Sequence, residues 1–201
     1  MRFDLDYREP ALLRDGTPVV LRLVRPEDKA LLARGFARMS PHSRYLRFFT
    51  PKSALSDDEL RYLTEVDHVR HLAIGATSAD EQHGLGVARF IQLVHEPGTA
   101  EAAIAVVDEM HGKGLGSLLF DRLVAAARER GVARVRCDVL GSNTAMQDFL
   151  RAASRVHTIK VDSGVVTVEL PVPPPDDERD SGMYELLRQV ARGAVSTRAP
   201  K

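Results

Sequence analysis

EAAIAVVDEMHGKGLG, Glu101 to Gly116, is the stretch on which the reading of this chain turns. Thr99 to Val107 reads as a strand, and Asp108 to Gly116 as a loop in which three of the last five residues are glycine. SLLFDRLVAAARERG follows, with Leu118, Leu119, Leu123, Val124 and Ala127 at helical spacing and Gly131 as a natural stop. A strand, a glycine loop and a helix start make a place for an anion. The first N–H groups of a helix have no partner within it, its dipole favours negative charge, and glycine lets a ligand approach the backbone. Lys113 adds a positive charge to the loop. The spacing is neither of the two common nucleotide loops. A Walker loop sets Gly-Lys-Ser/Thr at the helix start, whereas Lys113 precedes Gly114; a dinucleotide fingerprint needs a third glycine where Leu119 stands.

Working outward, His71 to Thr77 and Leu85 to Val94 read as strands before this unit, the second closed by His95-Glu96-Pro97-Gly98. Ser56-Asp57-Asp58-Glu59 is a capping box ahead of ELRYLTEV. Thr17 to Val24 is a strand, stopped by Arg25-Pro26-Glu27-Asp28, which opens a helix running to about Met39. On the other side, Val132 to Leu140 alternates as a strand and Asn143 caps a helix to about Ala153. Strands at Arg155 to Val161 and Val165 to Leu170 flank the turn Asp162-Ser163-Gly164. The order β-α-α-β-β-β-α-β-α-β-β predicts an α/β arrangement around one mixed sheet.

Composition removes several classes. The 201 residues carry 28 Lys plus Arg against 28 Asp plus Glu, so a binder of nucleic acid by overall attraction is not expected. A single Cys excludes an internal disulfide. MRFDLDYREP has no signal-peptide pattern, and no stretch approaches about 18 apolar residues, so a cytoplasmic chain with no membrane span is expected. Most of the positive charge is Arg; Lys stands only at positions 29, 52, 113, 160 and 201.

The loop HGKGLG, its strand ending in VVD and the helix after it resemble the acetyl-CoA-binding core of the GNAT N-acetyltransferase superfamily, whose motif is Arg/Gln-x-x-Gly-x-Gly/Ala. Gly114 and Gly116 stand on the two glycines, and His111 replaces Arg/Gln. RLVRPED (Arg22 to Asp28) resembles the usual opening, and SNTAM (Ser142 to Met146) the segment whose Asn contacts the pantetheine arm. Met39 to Ala76, MSPHSRYLRFFTPKSALSDDELRYLTEVDHVRHLAIGA, is similar to the matching stretch of bacterial Pat-type protein lysine acetyltransferases. The resemblance spans roughly Leu12 to Leu170 and implies the GNAT fold, a central mixed and mostly antiparallel sheet flanked by helices. It also implies acetyl-CoA as co-substrate, with no metal. Ile104, Ala105, Val106, His111, Gly112, Lys113, Gly114, Leu115, Gly116, Ser117 and Asn143 are then the expected cofactor contacts.

Acyl transfer to an amine needs a base, because a lysine ammonium titrates near ~10.4, and donors for the thioester oxygen. Glu101 is the candidate base, taking the proton directly or through water. At ~3.3 Å per residue it lies roughly 20 Å along the strand from Val107, about the reach of a pantetheine arm whose pyrophosphate sits on the loop. The resemblance lays that arm beside Ile104 to Val106, whose N–H groups, that of Val106 above all, are the expected donors; Ala100-Glu101 fits the context of the family's catalytic Glu. Glu109 and Asp108 are alternatives beside the loop, where acids also cap helices. Leu150 stands near the place where many relatives carry an acidic Tyr, so no acid is assigned to the leaving thiolate.

Other suggestive residues have plainer readings. His68 and His71 lack a partner set with zinc-site spacing. Cys137 lies in mid-strand as a small hydrophobe. Arg44, Tyr45, Arg47, Phe48 and Phe49 read as core packing and an edge of the acceptor site. Asp57, Asp58, Glu59, Glu65 and Asp67 are candidates to draw a cationic acceptor. The expected organisation is a domain over 12–170, a Pro-rich acidic linker over 171–181 and a C-terminal helix and tail over 182–201. The favoured acceptor is a protein lysine, for example in an acyl-CoA synthetase; a small amine acceptor, or a non-catalytic acyl-CoA-binding module, is the alternative.

Overall fold

The alternating segments join into one sheet. A computed structural model describes residues 2–153 and 158–173. In chain order the elements are β1 (Arg8–Leu12), β2 (Pro18–Leu23), α1 (Lys29–Ala37), α2 (Pro41–Phe48), α3 (Asp57–Thr64), β3 (His71–Ser78), β4 (Gly84–Gln92) and β5 (Thr99–Val106). Then come α4 (Leu115–Glu129), β6 (Arg134–Leu140), α5 (Thr144–Ala153), β7 (Thr158–Asp162) and β8 (Val165–Pro171). The strands lie in the order β1-β2-β3-β4-β5-β6-β8-β7. Every neighbouring pair is antiparallel except β5 with β6. The expected mixed, mostly antiparallel sheet flanked by helices is what forms.

Local chemistry sets the boundaries. Ser56 Oγ accepts from Glu59 N–H (3.2 Å) while the Glu59 carboxylate accepts from Ser56 N–H (2.9 Å), completing the capping box of α3. Gly131, with φ of +73°, ends α4 as foreseen. Ser163 and Gly164, both at positive φ, make the tight β7–β8 turn.

Two elements were not anticipated. β1 is REPAL, whose Pro10 argues against a strand; it is an edge strand paired only with β2, where a missing N–H can face outward. The aromatic and basic run after Met39 is the helix α2, with Ser40 Oγ accepting from Ser43 N–H (3.1 Å), Pro41 in the first turn, and Phe49 at φ +61° closing it.

The core lies between the sheet and α4. Leu115, Leu119, Leu123, Ala126 and Ala127 are fully buried on one stripe of α4, which crosses β3, β4 and β5. A Cβ at Gly86 would meet Leu119 Cδ1 and the Ala105 carbonyl oxygen at 3.0 Å, so any side chain there would press on α4 and on β5. On the other face α1 packs on β4 and α3 on α1.

Of the expected linker, the structure describes only 171–173, where Pro171 ends β8 and Val172 is buried. Residues 155–157 and the expected C-terminal helix lie outside the described residues. Among the described residues no helix is long and apolar enough to cross a membrane.

One charged group holds the N-terminal elements together. Arg22, buried on β2, bonds both oxygens of Asp28 at 2.7 Å and Glu81 Oε2 at 3.1 Å, and the Asp28 carboxylate also accepts from Arg25 N–H (2.8 Å). Burial opposes the Asp28 charge, but Arg22 and the Arg25 amide outweigh it and hold the carboxyl below its ordinary value. Its contribution is therefore complete at neutral pH and lost as pH falls through that depressed value. Asp28→Ala, which strips Arg22 of its charge-assisted bonds while Glu81 stays in place, should cost about 2 kcal/mol. A melting curve at pH 7 that matches the parent would mean that Glu81 alone neutralises Arg22.

Candidate functional site

The site arises where two strands part. β5 and β6 pair only over Thr99–Glu101 and Arg134–Arg136. Beyond Arg136, β6 keeps its pairing to β8 and leaves β5. Leu93 N–H bonds Thr99 C=O (2.9 Å) and Val107 N–H bonds Leu85 C=O (3.0 Å), so the odd-numbered residues of β5 spend their backbone groups on β4. The even-numbered Ala102, Ile104 and Val106 turn theirs toward the gap. A cavity of about 630 Å³ fills it, lined by Ala102 to Val106 of β5, Cys137 to Val139 of β6, and parts of α2, α5 and the glycine loop.

The loop closes one end. Met110 N–H bonds Val107 C=O (2.9 Å) and His111 N–H bonds Asp108 C=O (3.0 Å), a single helical turn that aims the chain outward. Gly112 and Gly114 take φ of +75° and +89°, left-handed values that favour glycine. α4 then begins at Leu115, and its first internal bond is Leu118 N–H to Gly114 C=O (3.1 Å). The amides of Leu115, Gly116 and Ser117 precede that bond, and all three residues line the cavity. A Cβ at Gly112 or Gly116 would meet nothing within 4 Å, so the space over the loop is open.

His111 lines the cavity, but its ring is held. Nε2 lies 3.0 Å from the Val106 carbonyl oxygen, which can only accept, so this nitrogen carries the hydrogen. Asp108, the alternative base, ties α2 to the loop by accepting from Ser40 N–H and the Ser43 hydroxyl. Burial works against its charge, yet these bonds hold its carboxyl low. Glu109 pairs with Arg38. Both acids thus have structural partners at the loop.

Ten of the expected cofactor contacts surround the cavity: Ile104, Ala105, Val106, His111, Gly112, Gly114, Leu115, Gly116, Ser117 and Asn143. Asn143 Oδ1 accepts from Met146 N–H (3.2 Å) as the cap of α5. Lys113 does not line it; its ammonium pairs with Asp15 at 3.0 Å. Glu101 stands one residue beyond the cavity's end, exposed, where β5 and β6 still pair. Register places Glu101 opposite Ile91 and Ile91 opposite His71, so Glu101, His71 and the neighbouring Arg89 share one face of the sheet.

Among the described residues, that face carries two neighbouring guanidiniums, Arg89 and Arg47, with no acidic partner. Arg89, 4% exposed, bonds Leu63 C=O (3.1 Å) and contacts His71 Nε2 (3.2 Å), both neutral groups. Burial and then the nearby Arg47 push Arg89 down to about 10; burial and then Arg89 push His71 down to about 4, so His71 is neutral at pH 7. Arg47 lies over the Phe48 ring (5.0 Å) and reaches the cavity wall. The basic and aromatic segment is therefore both core and cavity edge.

The acids proposed to attract a cation do not line the cavity. Glu59 pairs with Lys52 and Glu65 with Lys29, both at 2.5 Å, Asp58 pairs with Arg61, and Asp67 accepts three backbone N–H bonds at 2.8 Å. Cys137 lines the cavity with its thiol pushed up to about 12 by burial, which keeps it protonated. Leu150, wholly buried, offers no proton. Among the described residues no group of three His, Cys, Asp or Glu is placed to hold a metal ion. Sequence reasoning missed Arg14, whose side chain lies over Gly114, and the cavity-lining Ser40 and Ser43 at the start of α2; no pattern links residues so far apart in the chain.

Comparison with known proteins agrees with this geometry. The chain is 34% identical over 170 residues to the acetyltransferase Pat of Mycolicibacterium smegmatis, covering 83% of this chain and 50% of that protein. The chain thus spans half the length of that relative. It is 29% identical over 139 residues to an acetyltransferase of Pseudomonas aeruginosa, covering 68% of this chain and 74% of the other. The solved GNAT domain of the S. lividans PAT superposes with a TM-score of 0.77 at 28% identity, over 84% of this chain and 99% of that one. The model of the family described as "Acetyltransferase (GNAT) family" matches residues 37–153, more than half of the sequence, and the chain belongs to that family.

Proposed function

We propose that the cleft binds acetyl-CoA and that the chain transfers its acetyl group to an amine, with the ε-amine of a protein lysine as the favoured acceptor. The observation that carries this reading is the parting of β5 and β6. It leaves free backbone groups along one wall and uncommitted helix amides at the end, the two features an extended amide-rich arm and a pyrophosphate require. The lysine acceptor rests on the likeness to Pat proteins in sequence and fold.

In this reading the amides of Leu115, Gly116 and Ser117 receive the pyrophosphate, aided by the α4 dipole. The N–H groups of Ile104 and Val106 face the arm and can donate to the thioester oxygen. The Val106 carbonyl is taken by His111, so His111 braces the strand rather than reaching for phosphate. Glu101 accepts the proton of the incoming ammonium, directly or through water, from the open end of the same strand. The guanidiniums of Arg89 and Arg47 on that face favour the neutral amine over the ammonium, which eases the same step. Thiolate leaves without an assigned acid.

Two outcomes follow. Glu101→Gln should lower the rate of acetylation by about 100-fold or more while acetyl-CoA still binds, measured by thiol release and by calorimetry. A parent-like rate on every acceptor tested removes Glu101 from the chemistry. Gly116→Trp should abolish acetyl-CoA binding without lowering the melting temperature, because a Cβ there enters open space yet the ring fills the phosphate end. Unchanged affinity would place the phosphates elsewhere. Incubating the protein and acetyl-CoA with cell lysate, and mapping acetylated lysines against the Glu101→Gln control, tests the acceptor.

A further inference from the structure

The turn between β1 and β2 folds over the glycine loop and reassigns its positive charge. Leu13 N–H to Thr17 C=O (2.9 Å) and Gly16 N–H to Leu13 C=O (3.0 Å) close the turn. Arg14 N–H bonds the Lys113 carbonyl oxygen (3.2 Å), fastening the turn to the loop. Asp15 takes the Lys113 ammonium at 3.0 Å. Hydrogen bonds from Thr17, and then from Lys113, draw the Asp15 carboxyl down to about 2, so it is charged at neutral pH and holds that lysine. The Arg14 side chain lies across Gly114: its Nε and Cδ come within 3.1 and 3.4 Å of where a Cβ on that residue would be. It lines the cavity beside Gly114 and Gly116, and among the described residues its guanidinium has no hydrogen bond or ion pair.

The other cations near the loop are spent. Lys113 is on Asp15, Arg38 is on Glu109, and the His111 ring is on Val106. Among the described residues that line this end of the cleft, helix amides and the unpaired Arg14 guanidinium therefore stand together.

We propose that Arg14, carried in by the β1–β2 turn, is the cation that clamps the phosphate groups of the CoA-type ligand, the part expected of Lys113. This rests on the reading of the cleft as an acyl-CoA site. A guanidinium is suited to the task because its planar fork donates to two phosphate oxygens at once. Left-handed Gly114 without a Cβ is what lets the arginine stem lie against the loop at the N-cap of α4. Lys113 becomes a positioning residue that holds the turn, and with it Arg14, against the loop through Asp15.

The test is calorimetric titration of the full chain with CoA, with dephospho-CoA, which lacks the 3′-phosphate, and with S-acetylpantetheine, which lacks every phosphate of CoA. Arg14→Gln should weaken CoA binding by about tenfold, and Lys113→Gln by less. Arg14→Lys should recover part of the loss, as a charge without the fork does. An equal loss for dephospho-CoA places the guanidinium on the pyrophosphate; a loss confined to CoA places it on the 3′-phosphate. Either supports the assignment. If the parent binds CoA and Arg14→Gln binds it within about twofold of the parent, the assignment is overturned. The same holds if Lys113→Gln is the weaker binder of the two, or if Arg14→Gln weakens S-acetylpantetheine by the same factor, which is a structural effect. A parent that fails to bind CoA at all overturns the reading of the cleft itself, a different result from a silent Arg14.

Discussion

A strand buried on both edges must find partners for all its backbone groups, and β5 finds them on one edge only. For three residues β6 supplies the other edge; after that β6 stays with β8 and β5 goes on alone. Every feature of the site depends on that divergence. The gap exists because β6 cannot serve two neighbours that run apart. Its walls are ready to bond because β5 keeps the groups that β6 would have used. The helix start sits at its end because the chain leaving β5 must turn back as α4 to cover the sheet.

Around the gap, charge and packing fix the pieces that the sheet alone would leave loose. α2 is pinned to the loop through Ser40, Ser43 and Asp108, and the β1–β2 turn through Arg14 and Asp15. Farther out, Glu9 on β1 collects Arg122 of α4, Arg2 and Tyr7 within 3.0 Å, so the edge strand that contains a proline is still anchored to the central helix. Acids and bases are equal in number over the whole chain, and several of their pairs tie separate elements together, as Arg22 does with Asp28 and Glu81 and Arg136 with Glu96 and Glu169. Among the described residues Arg47 and Arg89 have no acidic partner; they lie near each other, with Arg89 on the sheet face that also carries Glu101.

Much of this was legible from residue order. Strand alternation, the capping box at Ser56, the stop at Gly131 and the cap at Asn143 are local signals, and each sits where the pattern put it. The glycine loop was legible because its chemistry is carried by adjacent residues. β1 was not, because Pro10 speaks against a strand unless one knows that the strand lies at an edge. Lys113 shows the limit most plainly. In sequence it is the charge nearest the glycines; in space Asp15, from the far end of the chain, has already taken it. Asp58, Glu59, Glu65 and Asp67 behave in the same way, each taken by a local ion pair or by backbone N–H groups and none lining the cavity. Which face of the sheet Glu101 shares with Arg89 and His71 depends on register across three strands, and no window of sequence contains it.

Arg136 is the last residue at which β5 and β6 still pair, and its guanidinium is gripped from both sides, by Glu96 at 2.8 and 2.6 Å and by Glu169 at 2.9 and 2.6 Å. One acid comes from the turn that feeds β5, the other from β8, so the knot spans the vertex of the fork. A wedge riveted at its apex has a fixed angle there, and any widening must come from the arms. The fork is therefore tied most firmly at its vertex, next to Glu101, and least at its mouth, where α2, α5 and the loop line the gap.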